Sequence, residues 1–239
     1  MKNKMNHFLK FILLFLVFLL VSCSKNTKEI TRIQPISYYP LQIGNTYIYD
    51  VDSVVFDDFN NSIDTFKFQI QEMYSDTFRD NTGNLAYKIE RRKRNILNNN
   101  SFQEWGIPQI WWVNLAKNQS IQRVENNLRY VNIVSPIENN FVWNGNVFNI
   151  LPEWKFRYIN TNLPFENYDS TLTVIQREIP VNLVSNEYYE QKFAKNIGLI
   201  FYHFINVEYK ENINSNTSLI DKIKKGVIFT QKLNSYSLN

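Results

Sequence analysis

The stretch "TYIYDVDSVVFDDFNNSIDTFKFQIQ", Thr46–Gln71, decides the fold. Tyr47, Tyr49, Val51 and Val55 occupy one phase of a two-residue period, with Asp50 and Asp52 in the other. After the turn-forming "DDFNNS" (Asp57–Ser62), Phe66, Phe68 and Ile70 alternate with Thr65, Lys67, Gln69 and Gln71. Successive side chains of a strand point to opposite faces, so two such runs around an Asp/Asn-rich link make a β-hairpin with one buried face.

The same pattern continues toward the C-terminus. "DNTGN" (Asp80–Asn84) reads as a bulged turn, after which Leu85, Tyr87 and Ile89 alternate with Lys88 and Glu90. Ile110–Leu115 is a short apolar strand, and Asn126-Asn127 separates Ser120–Val124 from Leu128–Val134. In "VWNGNVF", Asn144-Gly145 stands between apolar pairs, the signal of a tight type I′ turn. Trp154–Ile159, Thr171–Gln176, Leu199–Tyr209 and Val227–Leu233 bring the count to roughly ten strands. "NEYYEQKFAKNIG" (Asn186–Gly198) fits either a short helix capped by Asn186 and stopped by Gly198, or a strand turning into Leu199. Its strand-like flanks favour the hairpin. Aromatic residues make up 15% of the chain, with only 6 Gly and 7 Pro, which suits an ordered β-rich core. The expectation is an all-β chain: a single antiparallel domain over residues 38–239, either a two-sheet sandwich or a strongly curved half-barrel, with little helix.

The N-terminal end reads differently. Lys2, Lys4 and Lys10 precede the unbroken apolar run Phe11–Val21, followed by Ser22 and Cys23. As a helix that run spans about 16 Å, short of the roughly 30 Å hydrocarbon core of a bilayer. A positive segment, an apolar segment and a small residue before a cleavage point make a secretory signal over residues 1–22. Leu20-Val21-Ser22-Cys23 resembles the lipobox of bacterial lipoproteins, which implies acylation of Cys23 and cleavage before it. Stable anchoring takes two or more acyl chains. Residues 23–37, polar beyond the cysteine, read as a tether. Ser24 and Lys25 make no acidic export tag, so the periplasmic face of an outer membrane is the expected location.

The signal removes three lysines and no acid, so most of the formal +4 charge goes with it. A nearly neutral domain lacks the broad basic face that nucleic acid requires. With Cys23 as an anchor and His7 in the signal, the mature chain keeps no free thiol and a single histidine, His203. Ser-His-Asp and Cys-His mechanisms and transition-metal sites then have little to draw on, and no cofactor or enzymatic activity is expected. His203 shares a phase with Leu199, Phe201, Ile205 and Val207 and reads as a hydrogen-bonded core residue.

Carboxylates offer the weakest metal signal: Asp50 and Asp52 on one strand face and Asp57 and Asp58 in the next turn, as oxygen ligands for Ca²⁺ or as a solvated face and turn. In "ERRKR" (Glu90–Arg94), Arg91 and Lys93 face away from Arg92 and Arg94, and the run reads as a solvated strand end protecting a sheet edge. Trp111, Trp112, Trp143 and Trp154 are the candidate ligand contacts, as a sugar-stacking platform or the lining of an apolar groove. Adjacent Trp111 and Trp112 must point to opposite faces of a strand. Beyond the membrane, reached through the lipid on Cys23, the expected partners are envelope protein, lipid or glycan.

"YPLQIGNTYIY" (Tyr39–Tyr49) resembles the PLxxGNxWxY opening of exported bacterial β-proteins, with Tyr47 in the usual Trp position. "ENNLRYVNIVSPI", "WNGN", "DSTLTVIQ" and "YYEQKFAKNIGLIFY" resemble successive blocks of uncharacterised Bacteroidota-type lipoproteins. That resemblance implies a β-fold and an anchor, and no activity. The fold points to a non-catalytic binding or scaffolding role, or alternatively to a carrier or sensor of an apolar ligand in a β-sheet concavity. A carboxylate-dependent glycan hydrolase ranks lowest, because no pair of buried acids stands out.

Overall fold

A computed structural model describes residues 33–97, 101–180, 182, 184–210, 218 and 220–239. The signal segment and Cys23 therefore lie outside the described residues. Twelve antiparallel strands form one sheet: β1 (Thr46–Asp57), β2 (Ser62–Arg79), β3 (Leu85–Asn95), β4 (Gln109–Leu115), β5 (Ile121–Glu125), β6 (Leu128–Ile133), β7 (Val142–Asn144), β8 (Lys155–Phe165), β9 (Tyr168–Ile179), β10 (Ser185–Ala194), β11 (Gly198–Tyr209) and β12 (Ile223–Ser237). The sheet is a nearly closed, barrel-like meander in which strands adjacent in sequence pair, except β6 with β7, and β1 closes on β12. The strongly curved reading of the sequence holds. The count rises from roughly ten to twelve because β7 is only three residues long and β10 lies in the segment that the sequence left open between helix and hairpin.

The hairpin over Thr46–Gln71 pairs in unbroken register from Thr46↔Met73 to Asp57↔Ser62. Tyr47, Tyr49, Val51 and Ile70 point inward and are at most 3% exposed. Each such side chain contributes about 1.5–3 kcal/mol by leaving water. The outward phase of β1–β3 carries Asp50, Asp52, Lys67, Gln69, Lys88, Glu90, Arg92 and Arg94, the reverse of the apolar band of a lipid-facing barrel. Among the described residues no helix is long and apolar enough to cross a membrane. Residues 186–198 form the expected hairpin, turning between Ala194 and Gly198.

The break in the barrel lies between β6 and β7, which follow each other in the chain. One backbone bond and two aromatic side chains stitch the seam. Val131 N–H donates to Gly145 O at 2.9 Å and the Trp143 indole N–H to Val131 O at 2.7 Å. The Tyr158 hydroxyl accepts from Val134 N–H at 2.6 Å and donates to Val134 O at 2.7 Å. Two exposed edges that would invite aggregation thus cover each other.

Three expectations are corrected here. Asn144-Gly145 is not a type I′ hairpin: neither residue has a positive φ, and β7 pairs across a longer loop with Lys155–Arg157. Gly145 is required for close approach, since a Cβ there would lie 2.3 Å from the Phe156 ring. The tight Asn-Asn turn is Asn126-Asn127, both left-handed at φ 49° and 66°. The run Glu90–Arg94 does not protect an edge, because β3 lies between β2 and β4. The packed domain also reaches back past Tyr38: Ile33 and Ile36 pack on the core, and Pro35 and Tyr38 are buried in a 3-10 turn.

Candidate functional site

The two ends of the barrel differ. At one end the chain enters and closes the interior, with Tyr38 and Tyr39 at most 3% exposed. Tyr38 shares a hydrogen bond with Ser170 Oγ at 3.1 Å, and Asn196 N–H donates to Ser37 O at 2.6 Å. Gly44, at φ +93°, donates its N–H to Tyr74 O at 2.8 Å and turns the segment into β1. Asn239 N–H donates to Asn45 Oδ1 at 3.1 Å on the same side. At the other end every loop except the Asn126-Asn127 turn presents a large apolar side chain to solvent: Phe59, Ile107, Ile150, Val184 and Ile220.

Between the ends lies a buried charge cluster. Glu72 is 2% exposed and its Oε1 accepts from Arg123 Nη2 at 2.5 Å and Arg91 Nε at 3.2 Å. Arg123 Nη1 also donates to the Tyr39 hydroxyl at 2.7 Å, and its Nε lies 2.7 Å from Glu125 Oε1. Arg91 and Arg123 both lie over the Trp111 ring, at 4.4 and 4.9 Å from its centre. Burial alone would push the Glu72 carboxyl up, but the two guanidiniums outweigh it and hold it below the usual carboxylate range. In Glu125, burial prevails over Arg123 and the carboxyl is raised. Of two acids on one arginine, charge pairing wins at Glu72 and burial at Glu125.

Above this cluster the barrel is hollow. One cavity of about 140 Å³ is lined by residues that include Tyr130, Trp154, Gln176 and Tyr189. A second, of about 70 Å³, reaches down to Glu72, Arg91, Trp111 and Arg123. Glu125, Asn132, Gln191 and Tyr202 line both. Asn132 Oδ1, Gln191 Oε1 and Trp111 Nε1 are buried without a hydrogen-bond partner among the described residues. Unpaired buried polar atoms cost about 1–3 kcal/mol each, so their accumulation at one cavity calls for an occupant. Toward the mouth, Arg177 pairs with Glu187 and lies over Trp154, whose ring is 5.0 Å from Tyr189. Tyr189, Phe204 and Phe229 stack across three strands at 5.1 and 5.0 Å.

The structure separates the four tryptophans. Trp111 and Trp154 line the cavities. Trp112 faces outward against Phe78 and Arg129, and Trp143 packs on Tyr158 at the seam. The aspartates do not converge. Asp50 accepts from Gln69 and Asn234, Asp52 pairs with Lys67, Asp57 caps its own turn and Asp58 faces Lys224. Among the described residues no group of three or more His, Cys, Asp or Glu could hold a metal ion. The "DNTGN" turn is built on Asp80, which accepts from Thr82 and Asn84 and pairs with Arg129 at 3.2 Å.

His203 is corrected. An irregularity at the start of β11 pairs Leu199 with Phe193 but Phe201 with Lys192, so Ile200 is an extra residue. Leu199 faces in, whereas Phe201 and His203 face out. His203 Nδ1 lies 2.9 Å from Thr230 Oγ1, and burial against its neighbours lowers its pKa. Reasoning from sequence missed the acid–arginine cluster altogether. The signal was present: Glu72 continues the inward phase of Phe66, Phe68 and Ile70, and Arg91 that of Tyr87 and Ile89. Comparison of the chain with protein-family models, curated proteins and solved structures finds no match, which leaves the cavity's own chemistry to indicate function.

Proposed function

We propose that this protein is a non-catalytic, lipid-anchored envelope protein that binds a small ligand in the barrel interior through the open mouth. The observation that carries the reading is the cavity bordered by Glu125, Asn132, Gln191 and Tyr202, with buried polar atoms left unpaired around it. Pockets with a few convergent polar groups in an aromatic wall are the usual form of ligand sites. Ile33, Ile36 and Leu41 pack at the closed end, away from the mouth. The resemblance of the N-terminus to a lipobox, and of the later blocks to exported lipoproteins, supports the anchor and an outer-membrane location facing the periplasm. A non-catalytic role is supported by Arg123, which engages both Glu72 and Glu125, and by the position of His203 on the outer wall. An apolar carrier is less well supported, because the cavity floor is charged and amides line its sides.

Native mass spectrometry of the full chain, matured in a bacterial host and released in detergent, tests the binding role. The expected result is a discrete added mass that is lost on denaturation; a clean apo mass would overturn it. The anchor is tested separately. Cys23→Ser is expected to move the protein to the soluble fraction with an uncleaved signal, and an unchanged mass with retained membrane association would overturn lipidation.

A further inference from the structure

Resting on the cavity as a binding site, we infer that its ligand is a neutral polyhydroxylated molecule, a saccharide unit held between Gln191, Asn132 and Trp111. Charge comes first. The acidic and basic groups lining the two lobes are Glu72 and Glu125 against Arg91 and Arg123, two of each. A charged ligand would add a buried charge with no free counter-charge, at a cost of several kcal/mol. A neutral ligand avoids that cost.

Hydrogen-bond valence comes next. Asn132 Oδ1 and Gln191 Oε1 accept and have no donor, while Trp111 Nε1 donates and has no acceptor. Asn132 is 3%, Gln191 7% and Trp111 8% exposed, so none of the three is left to bulk water. Their occupant must donate and accept at short spacing, as hydroxyls do and an acyl chain does not. Gln176 and Gln231 add two more amides to the lining. Size also discriminates. A cavity of about 140 Å³ with a 70 Å³ extension far exceeds the roughly 10–15 Å³ that one water needs. The aromatic wall of Trp154, Phe156, Tyr189 and Tyr202 suits the C–H faces of a sugar ring, which are apolar where its edge is polar.

The test is saturation-transfer NMR and tryptophan emission on the intact protein. The probes are glucose, galactose, N-acetylglucosamine and their short oligomers, with palmitate and spermidine as comparators. At least one saccharide is expected to bind, with Gln191→Leu and Asn132→Leu each weakening it about tenfold. Both variants replace an amide whose oxygen is unpaired by an apolar group of similar size. Retained fold is checked by circular dichroism, and Gln191→Glu, which keeps the shape but adds charge, is expected to weaken binding as well. Preference for monomers would indicate a free sugar, and preference for oligomers a glycan chain end. Binding of palmitate or spermidine alone would overturn the saccharide class while leaving the ligand-binding reading intact. Saccharide binding unaffected by the variants would overturn this site. No binding of any probe, together with a clean apo native mass, would overturn both and leave the cavity to solvent.

Discussion

The closed and open ends of this barrel are built from the same strands yet solve opposite problems. At the closed end Tyr38, Tyr39 and Asn45 are at most 3% exposed, and Tyr39 extends the plug to Arg123 through a hydrogen bond. At the open end Phe59, Ile107 and Ile150 are more than 90% exposed, and Trp154 and Tyr189 border a void. The difference teaches where stability and function separate. Tyr39 and Asn45 at the closed end find hydrogen-bond partners, whereas Asn132, Gln191 and Trp111 along the cavity keep unpaired polar atoms.

The largest effect should come from breaking the link between the ends. Arg123→Met strands Glu72 as a buried, poorly paired carboxylate, and a loss of about 3–5 kcal/mol is expected in urea unfolding. A loss below about 1 kcal/mol would mean that water reaches the cluster and that the two ends are not sealed from each other.

The two acids on Arg123 sharpen the comparison through pH. Glu72 has a folded pKa below its unfolded value, so its contribution is complete above the unfolded value and is lost as pH falls through the folded one. Glu72→Gln should therefore cost about 2–3 kcal/mol at pH 7, with the difference from wild type shrinking in acid. Glu125 has a raised folded pKa, so its ionisation opposes folding, at a cost that builds as pH rises from the ordinary carboxylate range through the folded value. Glu125→Gln should be neutral or stabilising at neutral pH, with any gain vanishing in acid. Parallel urea titrations at pH 7 and pH 4 check both, and a shared sign would refute the assignment.

A smaller change tests the plug. Tyr39→Phe keeps the ring in place and removes the hydroxyl that accepts from Arg123, so about 1–2 kcal/mol should be lost in the same assay. The smallest effect belongs to the open rim. Phe59→Ser and Ile107→Ser remove side chains that touch little, and changes within about 0.5 kcal/mol are expected. A larger loss would show that the rim is packed in solution.

Much of the fold was legible because a strand's faces alternate every second residue. Tyr47, Tyr49 and Val51 against Asp50 and Asp52 announce an inside and an outside without reference to any other strand. Exceptions arise where one residue too many shifts the phase. The extra residue at Ile200 reverses the face expected for His203, and no local signal marks it. Gly145 misled in another way, since its place reflects the Phe156 ring rather than a type I′ turn, and that neighbour comes from another strand. Of the candidate site, Trp111 and Trp154 were identifiable as aromatic candidates, though not distinguishable from Trp112 and Trp143.

The sequence by itself determined the all-β class, the antiparallel hairpins and the inward identity of most core positions, because these depend on neighbours within a few residues. It also determined that Glu72 and Arg91 sit in the inward phase, although a charge in that phase has no meaning until its partners are known. Only the tertiary structure decided that β1 closes on β12, that Ile33–Leu41 plugs one end, and that Arg123 meets Glu72, 51 residues away in sequence. The reason is physical: closure places strands from both halves of the chain across a shared interior, and charge pairing, cavity shape and unsatisfied polar atoms exist only once that interior is enclosed.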